Sequence, residues 1–163
     1  MNANLKLDGK CQFYPTPVEL ADKMVNSITR WNDIKTVLEP SVGTGSLIKS
    51  LLRAKTYQEF QIDCLEIQPE LRGILKEQFE ESSTVPKIIG DDFLSFNTFK
   101  SYDLILMNPP FSEGDKHLLK AIDMQKNGGT IVCLLNAETI KNPYSNDRKY
   151  LVSLLDKYNA DIE

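Results

Sequence analysis

Short apolar runs alternate with helix-period segments along the whole chain, and this alternation constrains the fold more than any other feature. TVLE (36–39), FQIDCLEI (60–67), KIIG (87–90), DLILM (103–107) and GTIVCLLNA (129–137) read as buried strands. Between and around them lie SLIKSLLRA, PELRGILKEQFE opened by Pro69, DKHLLKAIDMQK stopped by Asn127 and Gly128, and a closing SNDRKYLVSLLDKY, all at helical spacing. Strands that alternate with helices pair in parallel, because each crossover returns the chain to the same end of the sheet. The expected architecture is a three-layer α/β fold with a mostly parallel sheet and a ligand site at the carboxyl ends of its strands. Ahead of the first strand, FYPTPVELADKMVNSI places Thr16 as N-cap, Pro17 as first helical residue and Glu19 as capping-box partner. Val18, Ala21, Val25 and Ile28 then give a helix over about 17–30.

At 163 residues the chain suits one domain, 1–163, with its own core. No apolar run reaches membrane-spanning length and MNANLKLDGK lacks a secretory h-region, so a soluble, cytoplasmic protein with no membrane partner is expected. Cys11, Cys64 and Cys133 are widely spaced, and the last two sit in apolar runs, which favours reduced buried thiols over metal ligands. A formal charge of −4 with no Lys/Arg-rich run means that a polynucleotide would be held by a local patch or with a partner's help.

Four strand ends carry chemistry. Glu39-Pro40-Ser41-Val42-Gly43-Thr44-Gly45 follows the first strand, and its glycines permit a tight turn that brings backbone close to a ligand. It is neither a full dinucleotide fingerprint nor a P-loop, and alone it more often describes an ordinary strand-to-helix turn. Glu66, at the end of the second strand, is placed to accept from both hydroxyls of a ribose. Asp92 and Phe93, with Asp91 before them, follow the third strand, where a carboxylate can accept from an exocyclic amine and a ring can cover a base. The fourth strand ends in Asn108-Pro109-Pro110-Phe111. Two prolines force the chain out of the sheet, leaving an amide and an aromatic ring on display. An Asn oxygen and a neighbouring carbonyl can hold both hydrogens of a planar amine while the ring stacks on the base carrying it.

These motifs, in this order, resemble the adenine-N6 branch of the S-adenosylmethionine-dependent methyltransferases, over roughly residues 12–136. The resemblance implies a Rossmann-like methyltransferase fold and S-adenosylmethionine as cofactor. It implies that Phe13, Tyr14 and Thr16 lie over the methionine end of the cofactor, and that Glu39, Pro40, Gly43 and Gly45 surround its amino-acid moiety. Glu66 would bind its ribose, and Asp92 and Phe93 would meet its adenine. Asn108 and the carbonyl of Pro109 would grip the target amine, with Pro110 shaping the turn and Phe111 stacked on an adenine flipped out of DNA. No metal is needed for such a transfer.

The resemblance also sets expectations at the margins. The family's sheet ends in a further antiparallel hairpin and many members add a target-recognition domain; here neither is expected, and a recognition subunit or a homodimer would cover the edge of the fifth strand. Similar motifs occur in enzymes that methylate guanine amines in RNA and glutamine amides in protein, and a non-catalytic cofactor-binding subunit is a further alternative. His117 reads as a packing residue, Ser112, Glu113 and Asp115 as part of a loop near the target base, Trp31 as packing at the end of the first helix, and Asn142-Pro143-Tyr144 as a loop.

Overall fold

The computed structural model of the chain describes residues 15–163, so Cys11, Phe13 and Tyr14 lie outside the described residues. The strands are β1 (Thr36–Glu39), β2 (Gln61–Leu65), β3 (Lys87–Gly90), β4 (Leu104–Met107) and β5 (Thr130–Cys133). They form a five-stranded sheet in the order β3-β2-β1-β4-β5, with every pair parallel. The chain runs outward from β1 through β2 to β3, then crosses back to β4 and runs outward again to β5. Connections therefore leave the carboxyl ends of β1 and β4 in opposite directions, which opens a crevice between them.

Alternation along each strand divides the core. Val37, Ile62, Cys64, Leu104 and Leu106 face one way and pack under α1 (Val18–Asn26), α2 (Ser46–Ala54) and the Leu75 and Phe79 side chains of α3 (Pro69–Phe79). Leu38, Leu65, Ile105 and Met107 face the other way and meet Ala121 and Met124 of α4 (Gly114–Met124). At the amino end of the sheet Asp103 clasps two strands: its Oδ2 accepts from the backbone N–H groups of Lys35 (2.9 Å) and Thr36 (2.8 Å) and from Thr36 Oγ1 (2.8 Å).

Three expectations about local structure are corrected. The first helix ends at Asn26 rather than near residue 30, because Ser27 turns its hydroxyl onto the Met24 carbonyl and the chain leaves toward a 3-10 turn at Trp31–Asp33. Thr16 does not cap it: the cap position is Pro17, and no side chain accepts a helix N–H there. The run after β5 turns into a short helix, α5 (Ala137–Lys141), capped by Asn136, and only then reaches α6 (Asn146–Lys157). Trp31 is half-buried against the core below α1 and α2, with Lys55 Nζ 4.8 Å from its ring centroid. Cys64 and Cys133 are free thiols pushed up to about 12 by burial. Among the described residues no antiparallel strand follows β5, and no helix is long and apolar enough to cross a membrane.

Candidate active site

The loops at the carboxyl ends of β1 to β4 meet in one cleft of about 290 Å³, closed on one side by the segment before α1. Thr16, Glu39, Gly43, Glu66, Phe93 and Asn108 all reach it, as do Pro40, Asp92, Pro109, Pro110 and Phe111. The site residues expected from sequence that fall within the described chain are thus brought together, with one exception. Gly45 does not line the cleft. Its φ of +80° is required by the turn into α2, and a Cβ there would lie 2.7 Å from Phe79 and 2.8 Å from Leu75 of α3. The positive φ and the close packing of α3 account for a glycine at this position.

The glycine turn is tied to β2. Val42 N–H donates to the Leu65 carbonyl (3.0 Å), and Gly43 N–H, at a φ of +54°, donates to Glu66 Oε2 (2.8 Å). Glu66 Oε1 accepts from Gln68 N–H (2.8 Å), so both carboxyl oxygens are fixed in orientation by backbone. Burial nevertheless raises the Glu66 carboxyl above its ordinary value, against the lowering by these two N–H groups. Glu39 stands beside it, 2% exposed, with Oε2 lacking any hydrogen-bond partner. Burial first, and the charge of Glu66 second, push the Glu39 carboxyl well above the usual carboxylate range.

The wall after β3 is built differently. Phe93 is 2% exposed and belongs to the core as much as to the cleft, its ring centroid 5.6 Å from that of His117. Asp92 turns its oxygens onto the backbone N–H groups of Leu94 (3.0 Å) and Ser95 (3.2 Å), and these bonds outweigh burial and hold its carboxyl below the ordinary value. His117 is a cleft residue that sequence reading assigned only to packing. It is buried in the first turns of α4, and its Nδ1 lies 2.9 Å from the Glu113 carbonyl, an oxygen that can only accept. The proton is therefore on Nδ1, and burial lowers the imidazole's pKa so that the neutral ring is favoured. Its signal was faint: a single His at the right helical phase to face inward.

The NPPF turn forms the last wall. Asn108 Nδ2 donates to Thr16 Oγ1 at 2.9 Å, across 92 residues of sequence, while Asn108 Oδ1 is buried with no partner. Phe111 is 41% exposed at the cleft's edge. Ser112 and Glu113 also line the cleft, but Asp115 faces away into an ion pair with Arg148 of α6 (3.4 Å). Lys120 Nζ donates to the Leu94 carbonyl (2.9 Å) and bonds that of Phe96, pinning the post-β3 loop to α4.

The model of the methyltransferase small-domain family matches residues 20–138, which spans every element from α1 to the start of α5. The chain belongs to this methyltransferase family. The methyltransferase is 31% identical over 133 residues to the type II methyltransferase M.AccI of Acinetobacter calcoaceticus, covering 78% of this chain and 23% of that one. It is 29% identical over 106 residues to a tRNA1(Val) (adenine(37)-N6)-methyltransferase of Aliivibrio fischeri, covering 64% of this chain and 44% of that protein. The chain thus spans less than half the length of either relative. The methyltransferase subunit of a type I restriction-modification system from Streptococcus thermophilus shares the fold, with a TM-score of 0.74 at 16% identity over 90% of this chain and 39% of that subunit.

The cleft suits the cofactor such a family implies. Among the described residues two buried side-chain acceptors have no partner, Glu39 Oε2 and Asn108 Oδ1, and both line this cleft. Buried acceptors are seldom left unsatisfied, so their clustering marks where donor groups of bound molecules belong.

Proposed function

We propose that this methyltransferase transfers the methyl group of S-adenosylmethionine to the exocyclic N6 amine of adenine in nucleic acid, with DNA as the first substrate. The buried, unpartnered Oδ1 of Asn108 carries the reading. An acceptor in that state, at a proline turn beside a half-exposed ring, suits a planar amine on a conjugated base. The carbonyl of Pro109 would be the second acceptor, as the resemblance implies, while that of Pro110 is engaged by Glu113 N–H (3.0 Å). Phe111 offers a stacking face for the base.

When bound, the cofactor supplies a methyl carbon made electrophilic by its sulfonium. Glu66, fixed by Gly43 and Gln68, would hold the ribose hydroxyls, and Phe93 with His117 would flank the adenine. Glu39 would take a donor group of the cationic ligand and ionise as it does so. Asn108 and Pro109 would hold the attacking nitrogen and stabilise the positive charge it gains on taking the methyl group from the sulfonium, which would leave as the neutral thioether, with one amine proton passing to solvent.

DNA is placed first because the type II methyltransferase relative is matched over 78% of this chain, against 64% for a tRNA adenine-N6 relative. The tRNA adenine-N6 relatives support RNA as the second reading. In either case a net charge of −4 argues that phosphate contacts come partly from a further segment, a recognition subunit or a second copy, with residues 1–163 serving as the catalytic domain. The test is transfer of labelled methyl from S-adenosylmethionine to unmethylated DNA, tRNA and protein in parallel, followed by nucleoside analysis. N6-methyladenine from DNA is expected. Label only in tRNA moves the substrate to RNA, label only in protein overturns the nucleic-acid reading, and cofactor binding without transfer anywhere makes the chain a binding subunit.

A further inference from the structure

Resting on that reading of the reaction, we infer that Thr16 is a positioning residue: its hydroxyl holds the Asn108 amide with Nδ2 turned away and Oδ1 turned to the incoming amine. An Asn side chain presents a donor at one end and an acceptor at the other, and the two ends are nearly the same size and shape. Only the acceptor end can receive the hydrogens of a target amine. Flipped by 180°, the amide would set its own N–H donors against those of the amine, and the nitrogen would lose both its grip and its electrostatic support.

A hydroxyl can accept from Nδ2 or donate to Oδ1, so the incoming amine selects the orientation, and the role left to Thr16 is to receive Nδ2 and hold the amide once Oδ1 faces the amine. Asn108 Nδ2 donates to Thr16 Oγ1 at 2.9 Å, and Oδ1 is left buried without a partner. The hydroxyl is available because it is not spent on the helix beside it. Pro17 occupies the cap position of α1, no side chain caps that helix, and Pro17 itself brings no N–H. Thr16 is 9% exposed, so water competes weakly for its hydroxyl. Thr16 also borders the cleft. Its sequence context, Thr-Pro ahead of a helix, had suggested a cap or a cofactor contact; the geometry points instead to the target side of the site.

The two roles separate experimentally. A cofactor contact would appear in the dissociation constant for S-adenosylmethionine, whereas a positioning contact appears in the transfer step at saturating cofactor. The comparison uses the whole chain, with titration calorimetry for cofactor affinity and single-turnover transfer on whichever substrate the wild type methylates. Thr16→Val keeps shape and loses the hydroxyl; Thr16→Ser keeps the hydroxyl; Thr16→Ala stands in for the valine variant should that one misfold. We expect Thr16→Val to lower the transfer rate about tenfold or more with cofactor affinity changed by less than about threefold, and Thr16→Ser to restore most of the rate. In an Asn108→Ala background the valine substitution should add nothing, since no amide is left to orient. An unchanged rate, or a loss that lies in the dissociation constant and vanishes at saturation, overturns the assignment of Thr16 alone. A wild type that transfers methyl to no substrate overturns the proposed reaction and this inference with it.

Discussion

Glu39 and Glu66 share one cleft, where burial first and the charge on Glu66 second raise the Glu39 carboxyl. Glu66 is oriented by the backbone N–H groups of Gly43 and Gln68, while Glu39 Oε2 is buried with no partner. The Glu39 carboxyl is raised well above its ordinary 4.5, by burial and then by Glu66. A group raised in the folded state contributes stability that is complete below its unfolded pKa and is lost as pH climbs through its folded value. The ligand-free protein should therefore carry a stability loss from Glu39 as pH rises above 4.5. Glu39→Gln should flatten that part of the profile and raise the thermal midpoint at pH 8, while weakening S-adenosylmethionine binding by about tenfold. Calorimetric melts of both proteins at several pH values check this; parallel profiles contradict it.

Gly45 separates packing from binding. Its φ of +80° and the 2.7 Å approach of Phe79 to a Cβ mean that Gly45→Ala strains the turn and forces α2 from α3. A loss of about 2 kcal/mol is expected, seen as a midpoint lowered by roughly 4–8 °C. Cofactor affinity of the folded variant should change little, because Gly45 lies outside the cleft. A stable variant that binds poorly would return Gly45 to the binding turn.

Phe111 stands 41% exposed at the mouth of the cleft. As a stacking surface for the extruded base it should contribute about 1–3 kcal/mol. Phe111→Ala is expected to raise KM for the nucleic acid and lower kcat while leaving cofactor affinity intact, and Phe111→Trp to preserve activity. Steady-state kinetics with each substrate varied in turn measure the split. Equal kinetics for Phe111→Ala and wild type would remove the ring from the mechanism.

Asp103 joins the amino ends of β1 and β4, far from the chemistry. Its carboxyl is held below 3.8: burial works against this, but the N–H groups of Lys35 and Thr36 and the Thr36 hydroxyl win. A group depressed in this way contributes stability above its unfolded pKa that is lost as pH falls through its folded value. Asp103→Ala should cost about 2 kcal/mol at pH 7 and less at pH 3, measured by urea unfolding. A pH-independent cost would mean that the carboxylate's charge is not what the clasp uses.

The strands and the main helices were legible because their periodicities are strong and local. KIIG becomes β3 and SLIKSLLRA becomes α2 with no change of boundary. The NPPF turn was legible as well, since proline has so few permitted settings. What escaped depends on distance in sequence. Thr16 carries every mark of a helix cap, and only the fold brings Asn108 across 92 residues to claim its hydroxyl. Gly45 carries the mark of a ligand turn, and only the placement of α3 reveals Phe79 against it. His117 offered only its helical phase, and its setting in the cleft comes from Phe93 beside it. The short helix α5 was hidden by its length, five residues, too few for a period to show.

The proposed reaction turns on one atom, the unpartnered oxygen of Asn108, which would receive the amine that is methylated. Its most direct test is single-turnover transfer of labelled methyl from S-adenosylmethionine to adenine-containing DNA and tRNA by the wild type and by Asn108→Ala, with cofactor affinity measured on both. N6-methyladenine is expected from the wild type, with a rate at least about 100-fold lower in the variant and cofactor affinity equal within about threefold. Equal transfer rates in the two proteins would contradict this role of Asn108.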